Sequence, residues 1–331
     1  MKQLLTPLVL PLVLLPVASS SAQDIDYFSF SLENDVLFQE DGGYTDGVVF
    51  SWGYRDQATL DENNLPRWID WLADKAPLER DGRRYNIDYG FGQGMQTAID
   101  ITQEVPPEGD APYAGLLLWQ VGLTSYEENI ADHAKLSIGI VGPASGAEQT
   151  QKFIHELIDS DKPEGWDGQL ENELVFRVEG SRNWRLQSVA FDNGTEFDVI
   201  GGAGAGVGNL RSDVGAGISV RWGQGLAQSF PLSSLIPTRA GDPLAPSVGG
   251  WQVYAKLAGS WVANEIFIDG NTFKDSASVD IIHGQAYATI GGAVELGQWV
   301  LGMTVVRGTD RYETQREATR FGSFNITYEF D

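Results

Sequence analysis

A chain of 331 residues with a formal net charge of −24 has too little clustered positive charge to neutralise a phosphate backbone, so nucleic acid is excluded as a partner. It contains no cysteine, which excludes disulfides and thiol chemistry. In chain order, the first predicted element is a secretory signal peptide over residues 1–22. Lys2 provides its positive start, residues 4–18 form an apolar run broken by Pro7, Pro11 and Pro16, and Ser20, Ser21 and Ala22 are small residues suited to cleavage before Gln23. Residues 23–331 then form the exported domain. No later stretch approaches the ~18 consecutive apolar residues of a transmembrane helix, which leaves a soluble exported β protein or a membrane barrel.

The rest of the chain alternates with a period of two, the signature of strands. Phe28, Phe30 and Leu32 share one face, with Ser29, Ser31 and Glu33 on the other. The same pattern recurs at Val48, Phe50, Trp52 and Tyr54, at Leu136, Ile138 and Ile140, at Trp251, Val253, Ala255 and Leu257, and at Phe324, Ile326, Tyr328 and Phe330. The opposite faces mix Gly, Ser, Gln, Asn and charged residues as a barrel lumen does, and aromatics recur at strand ends as interfacial girdles do. Gly202, Gly204, Gly206 and Gly208 read as one strand whose lumen side is bare for close approach. Twelve strands are predicted, at 25–34, 45–56, 84–96, 113–126, 133–141, 170–182, 195–208, 213–223, 250–264, 282–294, 297–308 and 320–330, with 183–194 assignable to the sixth or the seventh. The expected fold is all-β, a twelve-stranded antiparallel transmembrane β-barrel of the outer membrane, with a short helix in an extracellular loop.

An even strand count puts both termini on the periplasmic side and sends the odd-numbered connections outward. Those are 35–44, 97–112, 142–169, 209–212, 265–281 and 309–319. Among the inner connections, residues 65–72 read as an amphipathic helix, with Pro66 at its first position and Leu65, Trp68, Ile69 and Leu72 on one face. In the third outer connection, Ser145 and Glu148 have the S-x-x-E spacing of a capping box. The helix that follows carries Gln151 and His155 one turn apart. His155 is one of only three histidines, and by itself a single helical His is more often structural or solvated than catalytic.

Several short motifs run in order along the chain: Glu33-Asn34-Asp35 with Asp41, Tyr44-Thr45-Asp46-Gly47, Pro112-Tyr113-Ala114-Gly115, Val141-Gly142-Pro143, Gln151 with His155, Gly165-Trp166-Asp167 with Gln169, Asn172 and Glu173, and Asp269-Gly270-Asn271-Thr272-Phe273. By these motifs the chain resembles the outer-membrane lipid A 3′-O-deacylases. The resemblance implies a twelve-stranded barrel and a calcium-dependent ester hydrolase acting on lipid A of lipopolysaccharide. The implied site lies between the outer wall and an extracellular-loop helix. There a His activates water and Ca2+ stabilises the oxyanion.

On that resemblance the site residues are His155 as general base, Gln151 to orient it or the substrate, and Asn34 and Thr45 to hold the substrate or metal shell. Imidazole, with an unperturbed pKa of about 6.5, suits base chemistry near neutrality. Asp35 is a hard oxygen ligand for calcium, with Asp161 as second carboxylate and Glu164 and Glu173 as rivals. No G-x-S-x-G elbow occurs, so a serine hydrolase of that type is unsupported. Two departures stand out. Ala111 occupies a position where the family carries a basic residue, which weakens the expected grip on phosphorylated glucosamine. Asp46 adds a negative charge where the family has Asn. The alternative is a relaxed or inactive barrel, either a pore or a structural protein.

Overall fold

A computed structural model describes residues 25–34, 43–60, 82–230, 250–316 and 319–330. The predicted signal peptide and the predicted helix at 65–72 lie outside the described residues. The strands are β1 (Tyr27–Asn34), β2 (Gly43–Gln57), β3 (Arg84–Thr97), β4 (Ala114–Glu127), β5 (Ile130–Val141), β6 (Glu173–Ala190), β7 (Glu196–Val207), β8 (Arg211–Gly223), β9 (Trp251–Glu265), β10 (Gly284–Leu296), β11 (Trp299–Gly308) and β12 (Arg320–Glu329). Consecutive strands pair antiparallel, and β12 closes on β1 to make the predicted barrel. The ambiguous stretch 183–194 belongs mainly to β6, which runs on to Ala190. Among the described residues there are two α-helices, α1 (Ala147–Ile158) and α2 (Ile266–Asp269). No helix among the described residues is long and apolar enough to cross a membrane.

Alternation sorts the two faces as predicted. Phe28, Leu32, Phe50, Phe91, Phe176, Val253, Leu257 and Phe324 stand exposed on the outer wall. Ser29, Ser31, Glu33, Asn325 and Thr327 are buried inside. Asn325 Nδ2 donates to the hydroxyls of Ser29 and Ser31 across the β12–β1 seam, at 2.7 and 2.8 Å, so the closing seam is also stitched from within. The alternating glycines of β7 serve as expected: a Cβ on Gly206 would collide with the Arg177 guanidinium, which lies across the bare strand.

The lumen is filled. Lys135, Glu179, Arg177, Asp213, Arg211, Glu265 and Arg311 form a ladder of alternating charge, each paired with the next. Charges out of water are tolerable only when paired this closely. At the rim of the odd-numbered connections, α2 folds inward. Its Ile266 and Phe267 pack with Ala114, Leu116, Leu118, Val141, Leu170 and Val175 into an apolar plug. At the opposite end, the turn over Leu226–Gln228 reaches into the lumen, where Arg185 donates to the Leu226 and Ser229 carbonyls at 3.0 and 2.7 Å. A lumen closed in this way is expected to show no ionic conductance in planar bilayers. Stepwise conductance from the purified protein would overturn that expectation.

Candidate active site

Register, more than sequence distance, assembles the site. Asn34 of β1 pairs with Asp46 of β2, Asp46 with Met95 of β3, and Met95 with Gly115 of β4. Four strands thus bring two of the sequence motifs and the end of the Pro-Tyr-Ala-Gly motif to one rung at the odd-connection rim. Thr45 falls at a register shift between Tyr44 and Asp46. Such bulges re-aim side chains and are over-represented beside active sites. Asp35 lies outside the described residues, and of Asn34 and Thr45 the backbone alone is described.

Helix α1 docks on the outer face of this rung. Gly115 makes the approach possible, since a Cβ there would collide with Ser145 Oγ and Ala147 Cβ. Gln93 Nε2 donates to the Ser145 carbonyl at 2.7 Å, and Gly142 N donates to the Gly115 carbonyl at 2.9 Å. Beneath the helix, Met95, Ala98, Tyr113, Ala147 and Trp166 form an apolar cluster, with the Tyr113 and Trp166 rings edge to face at 5.2 Å. Burial pushes the Tyr113 hydroxyl up to about 12, so it stays neutral in this setting. The capping box does not form. The helix starts one residue after Gly146, which takes the cap position at φ 72°, with no side-chain cap. Ser145 sits in the preceding 3-10 turn, buried against Gly115, and Glu148 pairs with Lys152 instead. Packing on the wall outcompetes a cap bond worth about 1 kcal/mol.

Gln151 and His155 share the wall-facing side of α1 with Ala147, and all three are buried. Gln151 Oε1 accepts a 2.8 Å hydrogen bond from the Trp166 indole N–H. This fixes the amide orientation and leaves Gln151 Nε2 buried without a partner among the described residues. His155 Nδ1 lies 2.6 Å from the Asp161 backbone carbonyl. A carbonyl can only accept, so Nδ1 carries the proton in neutral imidazole and Nε2 keeps its lone pair. Sequence reasoning placed both residues but missed this support. Trp166 stands in the sequence only as part of a motif, and Asp161, expected to act through its carboxylate, also holds the imidazole through its backbone carbonyl.

The remaining motifs divide into scaffold and chemistry. Glu173 is fully engaged: its carboxylate accepts from Asn209, Asn271 and the backbone N–H groups of Thr272 and Phe273. It therefore anchors the Asp269-Gly270-Asn271-Thr272-Phe273 segment. Asn271 in turn bridges both backbone groups of Glu171, at 2.9 Å each. Gly142, at φ 101°, and Gly165, whose Cβ would strike the Tyr113 ring, permit close chain crossings. Ala111 is buried against Ile268 and Tyr312 in a small apolar cluster. Glu164 and Asp161 are exposed. Among the described residues no group of three or more His, Cys, Asp or Glu is placed to hold a metal ion.

This docking yields a test. Gly115→Val should lift α1 from the wall and lower any activity of the site by about 100-fold, since misplacement by about 1 Å costs that much. The barrel itself should keep its heat-modifiable gel mobility. Full activity in the variant would show that the helix need not sit where it does.

A family model described as "Outer membrane protein LpxR" matches residues 4–330. The fold is similar to LpxR from Salmonella typhimurium, with a TM-score of 0.74 and 16% identity over 92% of this chain and 100% of that one. The β domain of the Bordetella autotransporter Brka is matched at a TM-score of 0.42 and 9% identity, covering 93% of this chain and 99% of that one. No curated protein sequence matches the chain. An apolar outer wall on a closed twelve-stranded barrel and the family match make this a multi-pass protein of the outer membrane, which removes the soluble alternative. The chain belongs to the LpxR family of outer membrane proteins.

Proposed function

We propose that this protein hydrolyses ester-linked acyl chains of lipid A in lipopolysaccharide of the outer leaflet, with His155 as general base. The observation that carries the reading is the face of α1 bearing Gln151 and His155, docked on the rung of Asn34, Asp46, Met95 and Gly115. His155 Nε2 takes a proton from water, and the hydroxide attacks the ester carbonyl carbon. When the tetrahedral adduct collapses, the C–O bond to the sugar breaks. The imidazolium returns its proton to the departing alkoxide, giving a free fatty acid and a sugar hydroxyl. Gln151 Nε2, buried and unpartnered among the described residues, is a donor available to the carbonyl oxygen. Trp166 is a positioning residue, holding that amide through its indole N–H.

The donor set where β1 ends is all oxygen, Asn34 and Asp35 with Thr45 nearby in β2, and suits a hard cation such as calcium. Asp35 would hold the ion, with the exposed Asp161 carboxylate as second ligand. When bound there, calcium supplies Lewis-acid stabilisation of charge on the carbonyl oxygen. Position 111 presents a methyl to Ile268 and Tyr312, so we expect weaker dependence on the substrate phosphate and tolerance of other acylated lipids. Mass spectrometry of lipid A from cells with and without the protein is the direct test. The expected result is loss of an ester-linked chain, abolished by a calcium chelator and restored by added calcium. An unchanged acylation pattern with calcium present would refute the reading and favour an inactive structural barrel.

A further inference from the structure

Helix α1 has a third side that the proposed chemistry leaves unused. Residues four apart stack on a helix, which divides α1 into stripes. Ala147, Gln151 and His155 face the wall. Glu148, Lys152 and Glu156 form a polar stripe, closed by a 2.7 Å ion pair between Glu148 and Lys152. On the flank away from the polar stripe, where Gln149 opens the row, Phe153 and Leu157 are 66% and 74% exposed, among the most exposed large apolar side chains of the described residues. Two such residues side by side in water would each forgo the gain from burial.

Register shows what lies on the wall below the rung that carries α1. One rung below the site, Leu32, Val48, Gln93, Leu117, Ile140 and Leu174 pair in sequence across six strands. This row is apolar except for Gln93, whose amide is occupied by the Ser145 carbonyl. Leu32 and Leu174 are exposed on the outer wall, and Phe50, Phe91 and Phe176 continue the surface below. The row is the upper edge of the lipid-facing belt. It lies two residues, or about 7 Å, from the rung on which α1 rests. An apolar flank this close to the belt continues it.

We propose that Phe153 and Leu157 insert into the hydrocarbon of the surrounding leaflet, so that α1 is an interfacial helix whose apolar flank contacts the acyl chains of the bilayer lipids and whose polar stripe faces headgroups and water. The helix is then held from two sides, by the wall through Ala147 and by lipid through Phe153 and Leu157. This placement rests on the outer-membrane barrel and holds whether or not the protein hydrolyses lipid A. If it does, the ester at the headgroup boundary meets His155 at its own depth.

The absence of cysteine makes the test clean. Single variants Phe153→Cys, Leu157→Cys, Lys152→Cys and Glu156→Cys of the full chain would carry a nitroxide label and be reconstituted into phosphatidylcholine vesicles. Labels at 153 and 157 should collide with oxygen, which concentrates in hydrocarbon, and be shielded from a water-soluble nickel chelate. Labels at 152 and 156 should show the reverse, with oxygen-to-nickel ratios several-fold lower. Equal nickel access at all four positions would overturn the proposal. So would spin–spin broadening at 153 and 157, which would mean that a second copy of the chain covers the flank. Neither outcome depends on activity, so the lipid A experiment can fail while this one succeeds.

Discussion

His155→Ala is expected to lower ester hydrolysis by about 10²- to 10⁴-fold, the usual contribution of a positioned general base, with little change in substrate binding. The imidazole is buried and held at Nδ1 by the Asp161 carbonyl, so its other nitrogen is the one available to water. Loss of the ring removes the proton acceptor and leaves the wall contacts of Ala147 and Trp166 in place. Turnover should therefore fall while the Michaelis constant stays near the parent value. Trp166→Phe should reproduce a milder version. It frees the Gln151 amide to rotate but keeps most of the ring packing on Tyr113. The check is kinetics on purified lipid A in mixed micelles with calcium. Undiminished turnover in His155→Ala would remove histidine from the mechanism without touching the membership of the family.

Glu265→Ala is expected to cost about 3–5 kcal/mol of barrel stability, the range for breaking a buried ion pair from one side. Glu265 is 2% exposed and serves two cations, Arg211 at 3.0 Å and Arg311 at 2.8 Å. Its removal leaves both guanidinium groups facing each other in a closed lumen. Arg211 would keep Asp213, and Arg311 would keep the Gln96 amide oxygen, so the loss falls mainly at the top of the ladder. Glu265 also begins the turn that carries the plug, since its N–H donates to Asp269 Oδ2 at 2.7 Å. Urea-dependent folding into lipid vesicles, followed by tryptophan fluorescence, measures the difference. A midpoint equal to that of the parent would show that the ladder is compensated by water rather than by its own charges. The same variant should leave hydrolysis measurable, because α1 and its wall contacts lie outside the barrel while Glu265 lies within.

Much of this architecture is written locally. The alternation of Phe28, Phe30 and Leu32 with Ser29, Ser31 and Glu33 requires a sheet with one apolar and one polar face, and twelve such segments require closure. That is why the predicted strands overlap all of the observed ones. The order of the motifs pointed to the family, and the spacing of Gln151 and His155 placed both on one face of a helix. These are properties of period and neighbourhood, which a chain carries wherever it folds.

What the chain could not decide alone is which of its distant segments meet. The extent of β6 was ambiguous because Trp184 and Leu186 alternate with Arg185, a residue whose acceptors lie more than forty positions away at Leu226 and Ser229. The failed capping box is a similar case, since Ser145 is claimed by Gly115, thirty positions back in the sequence. The two lumen plugs are too short to show a period. Above all, the rung that sets Asn34, Asp46, Met95 and Gly115 side by side exists only through three strand pairings. A slip of one residue in any of them would turn that strand's face inward. Sequence determined the barrel and the residue types for its chemistry. Tertiary register decided which of the described segments share one rung, because pairing energy is spread over whole strands and no single motif contains it.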